Sequence, residues 1–271
     1  MNGWPRLARR TAATLRGILV LLAALLTVPV QAESTVKVRN VEGLVRGFLV
    51  LKAMNGETLA HGDLAQVSRD SGVRSHLVLR FEDGSIHDET VNFSQRDSFR
   101  LLNYHLVQKG PVFKIPMDME IDRSTGQVVV RYTDENGNEK VERERFELPS
   151  DLMNGMIPVL LKNLESGSRK TTVSLVAATP RPRLVKLVIS PEGEAKVLAG
   201  GINHQATQYR IKVEIGSALG FLASLVGKQP QDSHAWVVGG EAPAFVRMEG
   251  PLFAGGPSWL IEPSSPVWRG R

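Results

Sequence analysis

The amino-acid sequence predicts a mainly β protein, built as a curved antiparallel sheet or half-barrel of about ten to twelve strands, with one central helix and a candidate second short helix. Three observations lead to this prediction. Apolar and polar residues alternate with a period of two over many stretches, turn dipeptides recur at the spacing of short strands, and only two stretches break that rhythm.

The alternation identifies strands with one buried and one exposed face. Its clearest example is TQYRIKVEI at 207–215, in which every second residue is apolar. A second example, at 115–122, places Asp118, Glu120 and Asp122 on one face and apolar residues on the other. Such segments are typical of antiparallel sheets that have one face in water. We expect the acidic stripe to be solvated surface, with docking of a basic partner as the alternative.

Turn signals separate these strands. Asn55-Gly56, Asp83-Gly84 and Asn136-Gly137 are dipeptides that tolerate the positive φ angles of tight hairpins, so neighbouring strands are expected to pair as a meander. No linker, low-complexity tract or internal repeat divides the chain after its N-terminal segment. We therefore expect a single β-rich domain over residues 33–271.

Two stretches break the alternation. The first, SDLMNGMIPVLLKNL at 150–164, opens with a Ser/Asp cap and carries leucines at helical spacing. Because Gly155 and Pro158 lie inside it, we expect a kinked helix or one that starts late, near Asn154. The second, GSALGFLASLVGK at 216–228, is apolar nearly all round. It is either a short buried helix, the interpretation we prefer, or a mobile apolar flap.

Residues 1–32 have the three-part layout of a secretory signal peptide. Its basic part carries Arg6, Arg9, Arg10 and Arg16. An apolar run follows at 18–26, too short for a bilayer that takes about 20 residues, and Val30 and Ala32 suit a signal-peptidase site. We expect export to the periplasm, with no transmembrane segment after cleavage. An uncleaved N-terminal anchor is the alternative.

Charge and cysteine content exclude several functions. Taking the four signal-peptide arginines from the 33 Lys and Arg leaves 29 basic against 28 acidic residues, a net charge of +1 for the remainder. This balance disfavours a nucleic-acid partner. The sequence contains no cysteine, which excludes disulfides, thiol catalysis, cysteine-ligated metals and a lipid-modified cysteine.

The stretch FEDGSIHDET at 81–90 places five titratable residues in ten positions, including a histidine and an Asp-Glu pair. A three-residue loop would place Arg80 opposite Asp88, and a two-residue loop would place Arg80 opposite His87. In either register His87 and Glu89 share a face while Asp88 points away. One histidine and one carboxylate fall short of the ligands that zinc needs. We therefore interpret the stretch as a hairpin with a charged rim.

Local catalytic and cofactor motifs are absent. The sequence has no G-x-S-x-G, H-E-x-x-H or G-x-G-x-x-G, residues 167–171 lack the glycine that precedes the lysine of a phosphate-binding loop, and 134–145 lack the spacing of a calcium loop. We predict no catalytic residues, no metal and no cofactor. A hydrolase with a dispersed site, using His87 with Asp88 or Glu89, is the less favoured alternative.

Aromatic residues gather in the C-terminal third, at Trp236, Phe245, Phe253 and Trp259. They are expected to be core residues of the closing strands or the rim of a ligand cavity. The second interpretation assigns a candidate apolar binding site. Its residues are Phe221, Leu222, Leu225, Trp236, Phe245 and Trp259.

The order of these elements, ending in the pair HAWVVGG and AFVRMEGPLF, resembles the half-barrel of the periplasmic lipoprotein-carrier family and of similar uncharacterised exported bacterial families. The resemblance covers most of residues 44–253, whereas the segment 216–228 and the glycine-rich ending depart from it. Those carriers hold acyl chains in an apolar concavity, so the resemblance implies an exported, non-catalytic protein that binds a lipid-like ligand. The alternative is an interaction or scaffold module with an envelope protein partner, because VERERF at 141–146 is charged on both faces and suits an exposed edge.

Overall fold

The computed structural model describes residues 35–70, 72–165, 167, 170–199, 202–214 and 230–264, all within one unit, Glu33–Arg271. The described residues form fourteen strands and one helix. They are β1 (Val45–Ala53), β2 (Thr58–Arg69), β3 (Gly72–Phe81), β4 (Ile86–Gln95), β5 (Phe99–Lys109), β6 (Met117–Asp122), β7 (Gln127–Thr133), β8 (Glu139–Arg145), α1 (Ile157–Lys162), β9 (Thr171–Ala177), β10 (Arg183–Ala199), β11 (Ile202–Glu214), β12 (Ser233–Val238), β13 (Ala244–Pro251) and β14 (Ser258–Ser264).

All fourteen strands belong to one antiparallel sheet. Strands β1 to β8 and β9 to β14 form two meanders, which join where β1 pairs with β14, so that β8 and β9 lie at the two edges. The predicted class is confirmed, but the strand number exceeds the prediction. Turns such as the one between β2 and β3, where Asp70 has a φ of 53°, carry no Asn-Gly or Asp-Gly pair to mark them.

The sheet curves until its two ends share a core. Val128 and Val130 of β7 belong to the same buried cluster as Val173 and Val176 of β9, although these strands lie at or next to opposite edges. Leu160 of α1 belongs to this cluster as well. The concave face of a barrel-like sheet is therefore partly filled by the chain itself. We call residues 151–162, which enter this face, the plug segment.

Backbone hydrogen bonds tie the plug segment to the edge strand β9. Met153 N donates to Ser174 O at 2.9 Å, and Ser174 N donates to Asp151 O at 3.0 Å. The Asn154 side chain completes the contact, donating to Val176 O at 2.8 Å and accepting from Val176 N at 2.9 Å. The plug segment thus covers the edge that β9 would otherwise leave open.

Helix α1 begins at Ile157, later than the predicted start near Asn154. Gly155 has a φ of 68°, which no helical residue adopts, and Pro158 lies in the first turn, where its missing N–H has no intrahelical role. The predicted helix over 150–164 therefore shortens to six residues. The stretch 216–228 lies outside the described residues.

Replacing Gly155 by alanine is expected to lower the free energy of unfolding by about 2 kcal/mol, because a side chain strains the left-handed backbone. The new Cβ would also lie 3.1 Å from Tyr104, 3.2 Å from Val91 and 3.3 Å from the Glu89 carboxyl. Gly56→Ala is the matched control, since Gly56 has a φ of 92° but open space around it. If Gly155→Ala and Gly56→Ala lose the same free energy of unfolding in urea denaturation, crowding at Gly155 contributes nothing.

No helix among the described residues is long and apolar enough to cross a bilayer.

Candidate functional site

Four side chains point to the concave face yet are only partly buried: Leu64, Ser75, Leu77 and Glu89. Glu89 shares its face of β4 with the buried core residues Val91 and Phe93. Leu77 lies directly opposite Glu89, and Leu64 lies directly opposite Leu77, so all three project to the same side. We call these four residues the concave patch.

Glu89 is the ionisable group of the concave patch. The Tyr104 hydroxyl donates to Glu89 Oε1 at 2.7 Å, and the flanking residues on the neighbouring strands are Leu77 and Leu106. Burial raises the pKa of Glu89 above its ordinary value, and the Tyr104 hydrogen bond opposes that shift. Burial and the nearby carboxyl raise the pKa of Tyr104 well above its ordinary value. The pair can therefore hold a proton in an apolar setting.

His87 lies two residues from Glu89 on the same face and is 4% exposed. Gln108 Nε2 donates to His87 Nδ1 at 3.1 Å and to the Leu252 carbonyl at 3.3 Å. A ring nitrogen that accepts carries no proton, so the proton of the neutral imidazole lies on Nε2. Burial lowers the pKa of His87 to about 4, against a smaller opposing effect of the Asp88 charge. His87 is therefore neutral at pH 7.

The hairpin at 81–90 forms, but both predicted registers are wrong. Phe81 N donates to Ser85 O at 2.9 Å, which leaves a loop at 82–84 and places Arg80 opposite Ile86. Asp83 Oδ1 holds that loop by accepting from Ser85 N at 2.8 Å.

The charges of this hairpin also pair differently from the prediction. Asp88 Oδ1 lies 2.9 Å from His76 Nε2, and Arg80 pairs with Asp63 at 2.7 Å. These contacts lie on the exposed face, as expected of a charged rim. His87, in contrast, is part of the interior.

The hydrolase alternative finds no support in this geometry. Asp88 points to the opposite face from His87, the Glu89 carboxyl accepts from Tyr104, and the His87 ring accepts from Gln108. Within the described residues no hydrogen bond joins His87 to a carboxylate. A histidine with a pKa near 4 is also a weak base at neutral pH.

Acidification is expected to destabilise the protein through His87. Its pKa is about 4 when folded and 6.5 without burial, so the unfolded chain binds the proton more tightly. His87 therefore does not lower the free energy of unfolding above pH 6.5. As the pH falls from 6.5 to 4, protonation of His87 in the unfolded chain lowers that free energy by up to about 3 kcal/mol. Glu89, with its raised pKa, acts in the opposite sense, favouring the folded state as the pH falls.

The measurement is the free energy of unfolding of wild type and His87→Gln at pH 7 and 4.5. Glu89 is common to both proteins, so their difference isolates His87. The wild type should lose more stability than His87→Gln between the two pH values. The same substitution at the exposed His61 serves as control, and a His87→Gln protein as acid-sensitive as wild type would contradict the assignment.

Among the residues that the structure describes, one group of side chains has the geometry to hold a metal ion, and it lies on the convex face. His105, Asp118 and Glu120 have ligand atoms within 4.8 Å of one another. The Arg131 guanidinium already lies 2.6 Å from Glu120 and 3.6 Å from Asp118, which a cation would have to displace. In the predicted acidic stripe, Asp118 and Glu120 are thus paired with Arg131, and Asp122 accepts from Ser124.

The predicted aromatic site divides between two faces of the sheet. Trp259 lies in a buried cluster on the concave side, 5.6 Å from the Phe81 ring and 5.8 Å from Phe253. Trp236 points to the convex side, since its neighbours Ala235 and Val237 belong to the main core.

The remaining predicted ligand residues occupy different positions. Phe245 is half-exposed and lies opposite Val237. Phe221, Leu222 and Leu225 lie outside the described residues. Sequence reasoning missed Tyr104, Gln108, Leu64 and Leu77, because only strand register brings them beside Glu89 and His87.

Two open clefts lie at the β8 end of the sheet. One, of about 390 Å³, is lined by residues 123–126 and 145–148. The other, of about 510 Å³, separates Glu142, Glu144 and Phe146 from residues 181–183. Both are polar and shallow, unlike the mainly apolar pockets that hold small ligands.

Fold and site together define a barrel-like antiparallel β protein with a partly apolar concave face. No family model and no curated protein matches this chain. Among solved structures, the crystal structure of a beta-barrel-like protein of domain of unknown function DUF1849 from Brucella abortus is similar, with a TM-score of 0.47 and 11% identity over 85% of this chain and 100% of that chain.

Proposed function

We propose that this is an exported, periplasmic, non-catalytic protein that binds an apolar or amphiphilic ligand on its concave face. The observation that carries the proposal is the concave patch, in which apolar side chains that point inward are only partly buried around one carboxyl group. Ligand sites of this kind are mostly apolar and have a few placed polar groups. The signal-like N-terminal segment supports export.

Apolar surface continues from the concave patch towards one end of the sheet. Leu77 packs against the cluster that contains Trp259, and Ile261 and Leu252 of that cluster are also only partly buried. An acyl or similar chain lying along this surface would remove apolar area from water at about 25 cal/mol per Å². The extent of this surface favours an elongated apolar group.

Glu89 and Tyr104 supply the polar end of the site. A carboxyl with a raised pKa can donate a hydrogen bond when protonated and can attract a cationic group when ionised. His87 is neutral and adds no charge. The chemistry therefore suits an amphiphile whose head group carries hydroxyl or amine hydrogens, and it disfavours an anionic head group.

The ligand is expected to appear as a lipid-like mass bound to protein purified from its own cell envelope and measured by native mass spectrometry. Leu77→Asp should abolish the bound mass, because it places a charge in the apolar wall. Leu77 is partly buried, so circular dichroism must show that the variant remains folded before its bound mass is compared.

Val67→Asp is the matched control. Val67 is 56% exposed on the neighbouring strand β2 and lies opposite Arg74, away from the concave patch. This variant should keep the bound mass. A wild-type protein that carries no bound species, or a Leu77→Asp protein that carries as much as Val67→Asp, would overturn the proposal. The same spectra report whether the chain begins at Glu33.

A further inference from the structure

Strand β8 offers an unpaired edge. It lies at the end of the sheet, and no other described strand pairs with it on the side away from β7. Phe146 N donates to Gly126 O, and Asn138 O accepts from Asp134 N, so even-numbered residues bond to β7. Backbone groups alternate in direction along an antiparallel strand. The N–H and C=O groups of Glu139, Val141 and Arg143 therefore point outward.

We propose that two copies of this chain associate by antiparallel pairing of their β8 strands around a two-fold axis at Val141. In this register Val141 faces Val141 of the second copy, Lys140 faces its Glu142, and Glu139 faces its Arg143. The outward backbone groups of residues 139–143 would form about six hydrogen bonds between the copies. The two sheets would become one continuous sheet.

Charge complementarity specifies the register. Only odd-numbered residues of β8 offer outward backbone groups, so an odd-numbered residue must face an odd-numbered residue of the second copy. The allowed registers therefore differ by moving the two-fold axis one residue at a time along β8. An axis at Glu142 would oppose Glu142 to itself, and an axis at Arg143 would oppose Arg143 to itself and Glu142 to Glu144. The axis at Val141 is the one of these three in which every facing charge meets its opposite.

Most side chains of β8 that the register uses are available for such pairing. Glu139 and Arg143 form no ion pair with any described residue, and Val141 is an exposed apolar residue at 44%. Lys140 Nζ lies 3.8 Å from Asp134 Oδ2, an exposed contact that it would exchange for Glu142 of the second copy. Charged edge strands commonly prevent association because like charges meet. Here the alternating signs, EKVERER, favour self-pairing.

The pairing uses the half of β8 that lies away from the cleft. Of the five residues 139–143, only Glu142 lines the cleft opposite residues 181–183, whereas Glu144 and Phe146 line it from the other half. The axis at Val141 therefore places the second copy towards the turn at 134–138. The proposal is independent of ligand binding on the concave face.

Disulfide trapping tests the geometry. The chain has no cysteine, so Val141→Cys carries a single thiol. Residues that face each other in a hydrogen-bonded pair have Cα atoms about 5.5 Å apart, within the range of a disulfide. Val141→Cys should oxidise to a covalent dimer at least tenfold faster than Arg145→Cys, whose thiols would lie about 27 Å apart. Equal rates would overturn the register.

Charge exchange tests the interaction without a disulfide. Analytical ultracentrifugation of the full mature chain should show a concentration-dependent dimer. Glu139→Lys should weaken it at least tenfold, because the new lysine would face Arg143 of the second copy, and Glu139→Arg with Arg143→Glu should restore it. Val141→Pro removes an N–H that points away from β7 and should give a folded monomer. A wild type that stays monomeric at all concentrations, or a double variant no better than Glu139→Lys, would overturn the proposal.

Discussion

Replacing Lys162 by methionine should cost about 3 kcal/mol of stability, because it leaves a buried carboxylate without its cation. Glu42 is 4% exposed, and its oxygens lie 2.7 Å and 2.9 Å from Lys162 Nζ. Only the Gln66 amide, donating to Glu42 Oε2 at 2.9 Å, would remain on the carboxylate. Urea denaturation at pH 7 measures the loss.

Glu42→Gln in the same chain is the informative control. The double variant removes the charge that Lys162→Met strands, so it should recover most of the lost stability. The backbone of Glu42 keeps its two bonds to Gln95, at 2.7 Å and 2.8 Å, in all variants. A double variant as unstable as Lys162→Met would show that methionine disturbs α1 by its shape rather than by loss of charge.

The same contacts explain how the N-terminal part of the described chain is held. Arg39 N and Asn40 N both donate to Asn163 Oδ1, at 2.8 Å and 2.7 Å, and the Asn40 amide donates to the Lys162 carbonyl at 2.7 Å. The end of α1 therefore anchors the stretch that precedes β1. Loss of the Lys162 cation should therefore destabilise both α1 and the stretch that precedes β1.

Local features of the fold could be predicted from the sequence because their causes are local. The glycines of the Asn-Gly and Asp-Gly pairs, Gly56, Gly84 and Gly137, have φ angles of 92°, 85° and 81°, as tight hairpins require. The alternating segment at 207–215 begins inside β11, with Ile211 in the core. Charge on both faces of VERERF indicated an exposed edge, and β8 is an edge strand.

Long-range features could not be predicted in this way. Glu89 and Tyr104 meet because a bulge between Asn92 and Phe93 shifts the register of β4 against β5. No local pattern marks that bulge. The pairing of β1 with β14 joins segments about 200 residues apart, and sequence periodicity carries no information on such a partner.

The position of His87 shows the same limit. Most of its neighbours in sequence are polar, which indicates a solvated hairpin, yet the face that it shares with Val91 is the concave one. Sequence alternation assigns residues to two faces but does not state which face the rest of the chain covers. Around His87 the residue after β13 contributes to that cover, because the Gln108 amide bonded to His87 also donates to the Leu252 carbonyl, more than 160 residues away in sequence.

Trp259→Ala should destabilise the protein by about 3–5 kcal/mol, the range for a large aromatic side chain removed from a core. Trp259 closes a ring of four aromatic contacts with Phe81, Phe113 and Phe253. Successive ring centroids around it are 5.6, 5.7, 5.3 and 5.8 Å apart. Phe81 and Phe253, the two rings in contact with Trp259, would each face the space left by the indole.

Comparison with Trp236→Ala tests whether the contacts around a tryptophan, rather than its burial alone, determine the loss of stability. Both tryptophans are 8% exposed, but Trp236 packs in a small convex cluster with Val197 and Ala206, where its ring faces the Arg247 guanidinium at 5.7 Å. We expect a smaller loss there, because the long Arg247 side chain can settle into the space. Thermal unfolding followed by circular dichroism compares the two.

A small aromatic solute provides the decisive readout. An apolar cavity of indole size stays dry and can bind an apolar guest. Millimolar indole should therefore raise the melting temperature of Trp259→Ala while leaving wild type unchanged, because binding to the folded state alone stabilises it. Trp236→Ala should not respond, since the Arg247 side chain beside the Trp236 ring can occupy its space. If indole stabilises neither variant, or Trp236→Ala proves the less stable, then the four aromatic contacts around Trp259 do not form a closely packed core that leaves an apolar cavity when the indole is removed.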